Sequence, residues 1–319
     1  MRVLVTGGAG YIGSHVVLEL CEKGYEVVVL DDLSSGNKDA VDRRANFING
    51  STLNNSDIEL GIKNAGAVIH LAAFKSAGES MIETIKYSQN NLIGSINLLN
   101  AVVKHKIKKF VFSSTAAVYG SPEYLPIDEG HRLAPLNYYG FTKLEIERLL
   151  QWYSELKGLR FAALRYFNAA GFDLNNRLNF LEKTPKNLIP IIMEVASGLR
   201  SNMFVYGNDY NTPDGTCLRD YIHVSDLAKA HVKALNFLQK NSNLKVNLST
   251  GDSHSVIDVI KMTNIISGKE INYKIVGRRT GDPAELYASS DLAYDTLSWE
   301  PKCSDLKTLI ESTWNVYNK

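Results

Sequence analysis

The chain has 319 residues, of which 45% are hydrophobic and 22% charged, and a net charge of +1. That balance excludes a disordered polymer and a basic nucleic-acid binder, and no apolar run is long enough to span a bilayer. Cys21, Cys217 and Cys303 stand far apart without metal-ligand spacing, so neither a disulfide framework nor a metal site is expected. With Met1 leading straight into an apolar strand, leaving no room for a signal peptide, the expected setting is cytoplasmic.

Arg2 to Thr6 is a β-branched apolar run that reads as a buried strand. It breaks at Gly7-Gly8-Ala9-Gly10-Tyr11-Ile12-Gly13, after which Ser14 to Lys23 carries Val16, Val17 and Leu20 at helical spacing. A second apolar run, Glu26 to Leu30, closes on Asp31-Asp32. Gly8, Gly10 and Gly13 fit G-x-G-x-x-G. Strand, glycine loop, helix, strand and acid in this order form the setting of a dinucleotide site. Without a Cβ the backbone can approach a pyrophosphate closely, and the free N–H groups at the helix start face the anion. Gly7, Gly10, Tyr11, Ile12 and Gly13 are therefore the expected cradle. Asp31, with Asp32 beside it, suits a ribose diol and would repel a 2′-phosphate, which favours NAD over NADP.

Further on, Ala45 to Asn49 reads as a third strand and Asn54 to Lys63 as a helix. The fourth strand, Ala67 to Ala73, ends in the small residues Leu71-Ala72-Ala73, suited to a place where a ligand lies against backbone. A long amphipathic helix spans about 87–105, a fifth strand Lys109 to Ser113, a second long helix Asn137 to Lys157, and a sixth strand Arg160 to Tyr166. Strands alternating with helices predict an α/β fold, a Rossmann-like doubly wound parallel sheet. After Asn168 the segment to Lys186 is polar and loop-like. Helices follow at 187–198, 225–238, 255–266, 289–297 and 304–317, with strands at 203–206 and 245–248. The expected division is a nucleotide domain over 1–167 and a smaller mixed α/β lobe over 168–319, with 220–250 returning to the first sheet.

Tyr139-Gly140-Phe141-Thr142-Lys143 places a phenol and an ammonium four residues apart on one helix face. A nearby cation favours phenolate, and an oxidised nicotinamide adds further positive charge, so Tyr139 is the candidate base. Ser113-Ser114-Thr115 supplies hydroxyls at the preceding strand end. Arg219 and Arg279 lie in loop-like sequence of the second lobe and suit a diphosphate, whose oxygens a guanidinium can take in pairs. His223, inside the apolar run YIHV, reads as a packed structural residue, and Trp152, Trp299 and Trp314 as core or helix-face packing.

With these motifs the chain resembles the extended short-chain dehydrogenase/reductase family over almost its whole length. The resemblance also rests on LAAFKSAGES (71–80), SSTAAVYG (113–120), RYFN (165–168), NLIP (187–190), GNDY (207–210), RDYIHV (219–224) and RRTGD (278–282). It implies an isomerase that inverts C4 of a UDP-hexose through a 4-keto sugar while retaining NAD. Tyr139 would be the base, Lys143 its modulator and ribose ligand, and Thr115 the hydroxyl partner. NAD would be held by the glycine loop, by Asp31 and Asp32, by Ser51 and Thr52, by Leu71, Ala72 and Ala73, and by Lys75, Asn90, Ser113 and Tyr166. The UDP-sugar would meet Lys75, Phe167 and Asn168, and its uridine diphosphate Asn187, Leu188, Tyr206, Arg219, Arg279 and Asp282. The resemblance further implies a homodimer built on the helices 87–105 and 137–157.

The chain departs from the family pattern after the third strand. Gly50-Ser51-Thr52 stands where a Gly-Asp pair receives the adenine amino group, so weaker cofactor retention is expected. Leu286 falls where the family varies a residue bordering the sugar pocket, and its intermediate size leaves N-acetylated sugars open. A 4,6-dehydratase would carry Asp-Glu after Thr115, where this chain has Ala116-Ala117. The remaining alternatives are a 4-epimerase of UDP-N-acetylhexosamine or UDP-uronate, and an NAD-binding regulator without catalysis. An intact Thr115, Tyr139 and Lys143 argue against the regulator.

Overall fold

The computed structural model describes residues 1–182, 185–279 and 282–319. Its first half alternates strand and helix: β1 (Arg2–Thr6), α1 (Tyr11–Glu22), β2 (Glu26–Asp31), β3 (Asn46–Asn49), α2 (Asn55–Ile62) and β4 (Ala67–His70). The short helices α3 (Ala77–Ser80) and α4 (Thr84–Tyr87) precede α5 (Gly94–Lys104), β5 (Lys109–Ser113), α6 (Tyr138–Lys157) and β6 (Arg160–Tyr166). Next come β7 (Asn168–Ala170), α7 (Leu188–Ala196), β8 (Met203–Tyr206), β9 (Leu218–Arg219), β10 (Tyr221–His223), α8 (Val224–Phe237) and β11 (Leu244–Leu248). The chain ends with β12 (His254–Ser255), α9 (Val256–Ser267), β13 (Tyr273–Val276), β14 (Glu285–Leu286), α10 (Asp291–Leu297) and α11 (Leu306–Tyr317).

Seven strands form one sheet in the order β11-β6-β5-β4-β1-β2-β3, every pair parallel. Both faces are covered, which is why β1, β2, β4 and β5 carry continuous apolar runs rather than alternating ones. Side chains alternate across the sheet, so Val3 and Val5 meet Val16, Val17 and Leu20 of α1 and Leu227 and Leu235 of α8 on one face. Leu4, Val68 and Phe110 meet Ile58 of α2, Leu98 of α5 and Leu150 of α6 on the other. The strand order reverses between β1 and β4, and such a switch point opens a crevice at the carboxyl edge.

Beyond β6 the chain builds a second core from α7, α9 and α11, including Ile192, Val259, Leu309 and Trp314. Residues 221–248 carry the chain back through α8 to β11 at the sheet edge, and α10 packs Ala293 and Leu297, with Trp299 just beyond it, into the first core. The structure adds strands where the sequence read loops: β7 pairs with β10, and β9 with β12 and β14. Arg219 thus sits on a short strand. The long helix expected over 87–105 starts at Thr84, and its Ser88–Ile93 segment winds as a π-helix before α5. Trp299 and Trp314 are buried, whereas Trp152 stands on the open face of α6. His223 is buried and caps α8 by accepting from the Ser225 N–H, a structural post.

Candidate active site

β1 ends at Gly7, whose φ of +75° turns the chain sharply. Gly10 then begins α1 with no side-chain cap, so the first-turn N–H groups of Tyr11, Ile12 and Gly13 have no capping side chain. A Cβ on Gly13 would stand 2.0 Å from the Gly7 carbonyl oxygen, and one on Gly7 2.5 Å from the Ala72 nitrogen. The loop is therefore packed against backbone on both sides and opens toward the crevice. Asp31, at the end of β2, accepts from the N–H groups of Ala9 and Leu33, each at 2.9 Å. Burial raises its pKa, and the two N–H donors oppose that rise. A carboxylate has about four acceptor positions, which leaves room for a diol. Asp32, Ser51 and Thr52 line the far end of this crevice. The Ser51 N–H donates to Asp57, and its hydroxyl accepts from the Leu53 N–H.

On the opposite wall, Leu71, Ala72, Ala73, Phe74 and Lys75 follow β4 in extended order along the crevice. Buried Asn91 fixes this stretch by accepting from the Phe74 N–H at 2.9 Å and donating to its carbonyl at 3.0 Å. The π-helical turn that carries Asn91 sets Asn90 on the crevice wall. Such turns recur at functional sites. Lys75 pairs with Glu182 at 2.7 Å.

Between these walls the end of β5 meets α6. Asn137 caps α6 by accepting from the Gly140 N–H at 2.8 Å, and the Tyr139 N–H donates to Ser80 Oγ at 3.0 Å. The Lys143 ammonium donates to the Ser113 carbonyl at 2.8 Å and lies 5.9 Å from the Tyr139 ring centre. The Ser113 and Tyr166 hydroxyls are hydrogen-bonded to each other. Part of Tyr139 opens to the crevice, yet the protein packed around it pushes the phenol up to about 12, with the Thr115 hydroxyl pulling the other way. Burial pushes the Lys143 ammonium down to about 7, and Glu147 counters that fall. A phenol held this high deprotonates readily only beside further positive charge.

A second cavity continues from the first, the two sharing Asn168, Ala169 and Asn187. Leu188, Tyr206, Arg219, Arg279 and Asp282 line it. Arg219 donates to the carbonyls of Leu218 at 2.7 Å and Pro283 at 2.9 Å, and pairs with Asp282. The Arg279 guanidinium stacks 3.9 Å over the Tyr206 ring centre. Asn187 starts α7 without a side-chain capping bond, and Asn168 donates to the Asp220 carbonyl at 2.8 Å. Lys186, Arg200 and Phe204 also line this cavity and Glu182 the first, all of them overlooked in the sequence. Those residues sit in polar or irregular stretches with no motif, and only a count of cations near Asn187 would have flagged Lys186 and Arg200. Thr280 and Gly281 of the RRTGD run lie outside the described residues. With four cations against Asp282 among the described residues, the cavity is electropositive and fits a diphosphate.

A glycine cradle with an acid-ended second strand, and a tyrosine–lysine pair set between it and an anion pocket, define a nucleotide-cofactor enzyme of the short-chain dehydrogenase type. The chain belongs to the NAD dependent epimerase/dehydratase family, whose model matches residues 3–248. It is 45% identical to a UDP-glucose 4-epimerase of Halalkalibacterium halodurans, over 100% of this chain and 96% of the relative. Its fold is similar to the crystal structure of UDP-glucose 4-epimerase from Brucella ovis in complex with NAD, with a TM-score of 0.96 and 42% identity over 99% and 98% of the two chains. The enzyme from Bifidobacterium longum, solved with NAD+ and UDP, gives a TM-score of 0.94 and 37% identity over 100% and 98%.

Proposed function

We infer that this chain catalyses the NAD-dependent 4-epimerisation of a UDP-hexose, interconverting UDP-galactose and UDP-glucose through a 4-keto sugar. The observation that carries the reading is the placement of Thr115, Tyr139 and Lys143 on the cofactor crevice, which runs on into the Arg219–Arg279 cavity. The uncapped start of α1, the space kept by Gly7 and Gly13, and Asp31 at the diol position fit NAD. When bound, NAD supplies the site that accepts the C4 hydride and gives it back. Tyr139 takes the proton of the 4-hydroxyl and returns it, the Lys143 ammonium stabilises the phenolate, and Thr115 holds the reacting oxygen. Arg219 and Arg279 grip the diphosphate. A ligand anchored at its nucleotide end leaves the keto sugar free to turn its other face to the same tyrosine. Thr115 is followed by Ala116 and Ala117 in a 3₁₀ turn, with no carboxylate there to eliminate water.

On the same reading, residues 1–167 with 220–250 hold NAD and the remainder holds the UDP-sugar. The exposed Ile93, with Trp152 and Leu156 of α6, supports a homodimer through the helices over 87–105 and 137–157. The three free cysteines support a cytoplasmic setting.

Purified protein incubated with UDP-galactose and no added NAD should form UDP-glucose, followed by NMR. Tyr139→Phe should lower turnover by about 10³-fold with NAD still bound. No product with NAD supplied, or undiminished turnover in Tyr139→Phe, overturns the reading.

A further inference from the structure

Behind the reacting pair lies a buried ionic cluster that the chemistry above does not use. Tyr139, Lys143 and Glu147 follow one another four residues apart on α6, and so share one face. Glu147 and Arg165 of β6 are almost wholly buried, with side-chain exposures of 1% and 2%. Glu147 Oε1 accepts from Arg165 Nε at 3.0 Å and from the Ser114 hydroxyl at 2.5 Å, while Oε2 accepts from Arg165 Nη2 at 2.6 Å. Arg165 Nη1 also donates to the Tyr119 hydroxyl at 2.9 Å. Ser114 sits between Ser113, whose carbonyl receives the Lys143 ammonium, and Thr115, the hydroxyl beside Tyr139. One carboxylate therefore fastens the end of β5 to α6 and β6 at the point where the reacting groups meet. A buried pair of this kind adds little stability over apolar packing, so its place behind the site calls for another cause.

We propose that Glu147, fixed by Arg165 and Ser114, is the positioning residue of the Tyr139–Lys143 pair. It clamps Thr115 at its distance from Tyr139 and presents a carboxylate one helical turn behind the Lys143 ammonium. Among the described residues, the other titratable groups around the lysine leave it no second anion. His70 on β4 is pushed down to about 3 and stays neutral, Tyr139 and Tyr166 are phenols, and Arg165 is a cation engaged by Glu147. Burial already drives Lys143 to about 7, with Glu147 as the opposing charge. Without that carboxylate the lysine sheds its proton below pH 7, and Tyr139 loses the cation that makes it a base.

The inference rests on Tyr139 acting as the base of the epimerisation. Its test is the pH dependence of turnover in the double variant Glu147→Gln/Arg165→Met, which removes both charges and leaves neither buried alone. The holoenzyme should keep its NAD, and the basic limb of its kcat profile, where the Lys143 ammonium gives up its proton, should move down by about one pH unit. At pH 7 kcat should fall about fivefold with KM within about twofold. A profile coincident with that of the active parent chain overturns the inference while leaving the proposed function standing. A parent chain inactive on UDP-galactose overturns the function instead. If the double variant yields no folded protein, Ser114→Ala decides: kcat lower by about threefold or more at constant KM supports the clamp, and unchanged kcat overturns it.

Discussion

Arg219 enters the second cavity already committed to Asp282 and to two backbone carbonyls. On the proposed function, a diphosphate arriving there would meet a guanidinium whose plane is fixed, so little side-chain freedom would be lost on binding. Charge-assisted hydrogen bonds of this sort are worth about 1.5–3 kcal/mol. Arg219→Ala should therefore raise the KM for UDP-galactose by about 10- to 100-fold with kcat nearly kept, as steady-state kinetics would record. An unchanged KM would leave the diphosphate grip to Arg279 and Arg200. At this scale the sequence was legible where chemistry needs a fixed spacing. Tyr139 and Lys143 are one helical turn apart, and the glycines precede an acid-ended strand. Glu147 and Arg165 were not legible as a pair, because only the packing of α6 against β5 and β6 brings them together.

Among the elements, the glycine turn is the least tolerant of change. Gly13→Ala would drive a methyl into the Gly7 carbonyl oxygen at 2.0 Å, and the backbone must shift at the cradle itself. The variant should purify with little or no bound NAD, read from the absorbance of the denatured supernatant, and with a lower melting temperature. Retention of the full NAD complement would show that the cradle does not carry the pyrophosphate. The inner sheet strands β1, β2, β4 and β5 were legible because burial on both faces makes them apolar runs. Strands of two or three residues, such as Leu218–Arg219 and Tyr221–His223, are too short to display a period. The π-helical turn at Ser88–Ile93 was also hidden, since α and π windings draw on the same residue types and its form is set by Asn91 reaching across to Phe74.

For the whole molecule, acid is the expected weakness. Burial pushes His15 to about 4, His70 to about 3, His223 to about 4 and His231 to about 4. Each binds a proton on unfolding below its ordinary value near 6.5, so this stability is complete above about pH 6.5 and drains away toward pH 4. Asp220 acts in the opposite sense: burial lifts it to about 6, and the folded chain there holds a proton that the unfolded carboxylate gives up. The difference, three protons at most, corresponds to a slope of at most about 4 kcal/mol per pH unit near pH 5. Calorimetric melts should shift steeply downward between pH 6.5 and 5, and a flat melting temperature there would refute the account. The path of the chain between its two cores has a consequence of another kind. Because α8, β11 and α10 return to the seven-stranded sheet after the second core has begun, no contiguous stretch of gene encodes the second core alone. Recombination cannot exchange that core as a cassette without tearing out the seventh strand.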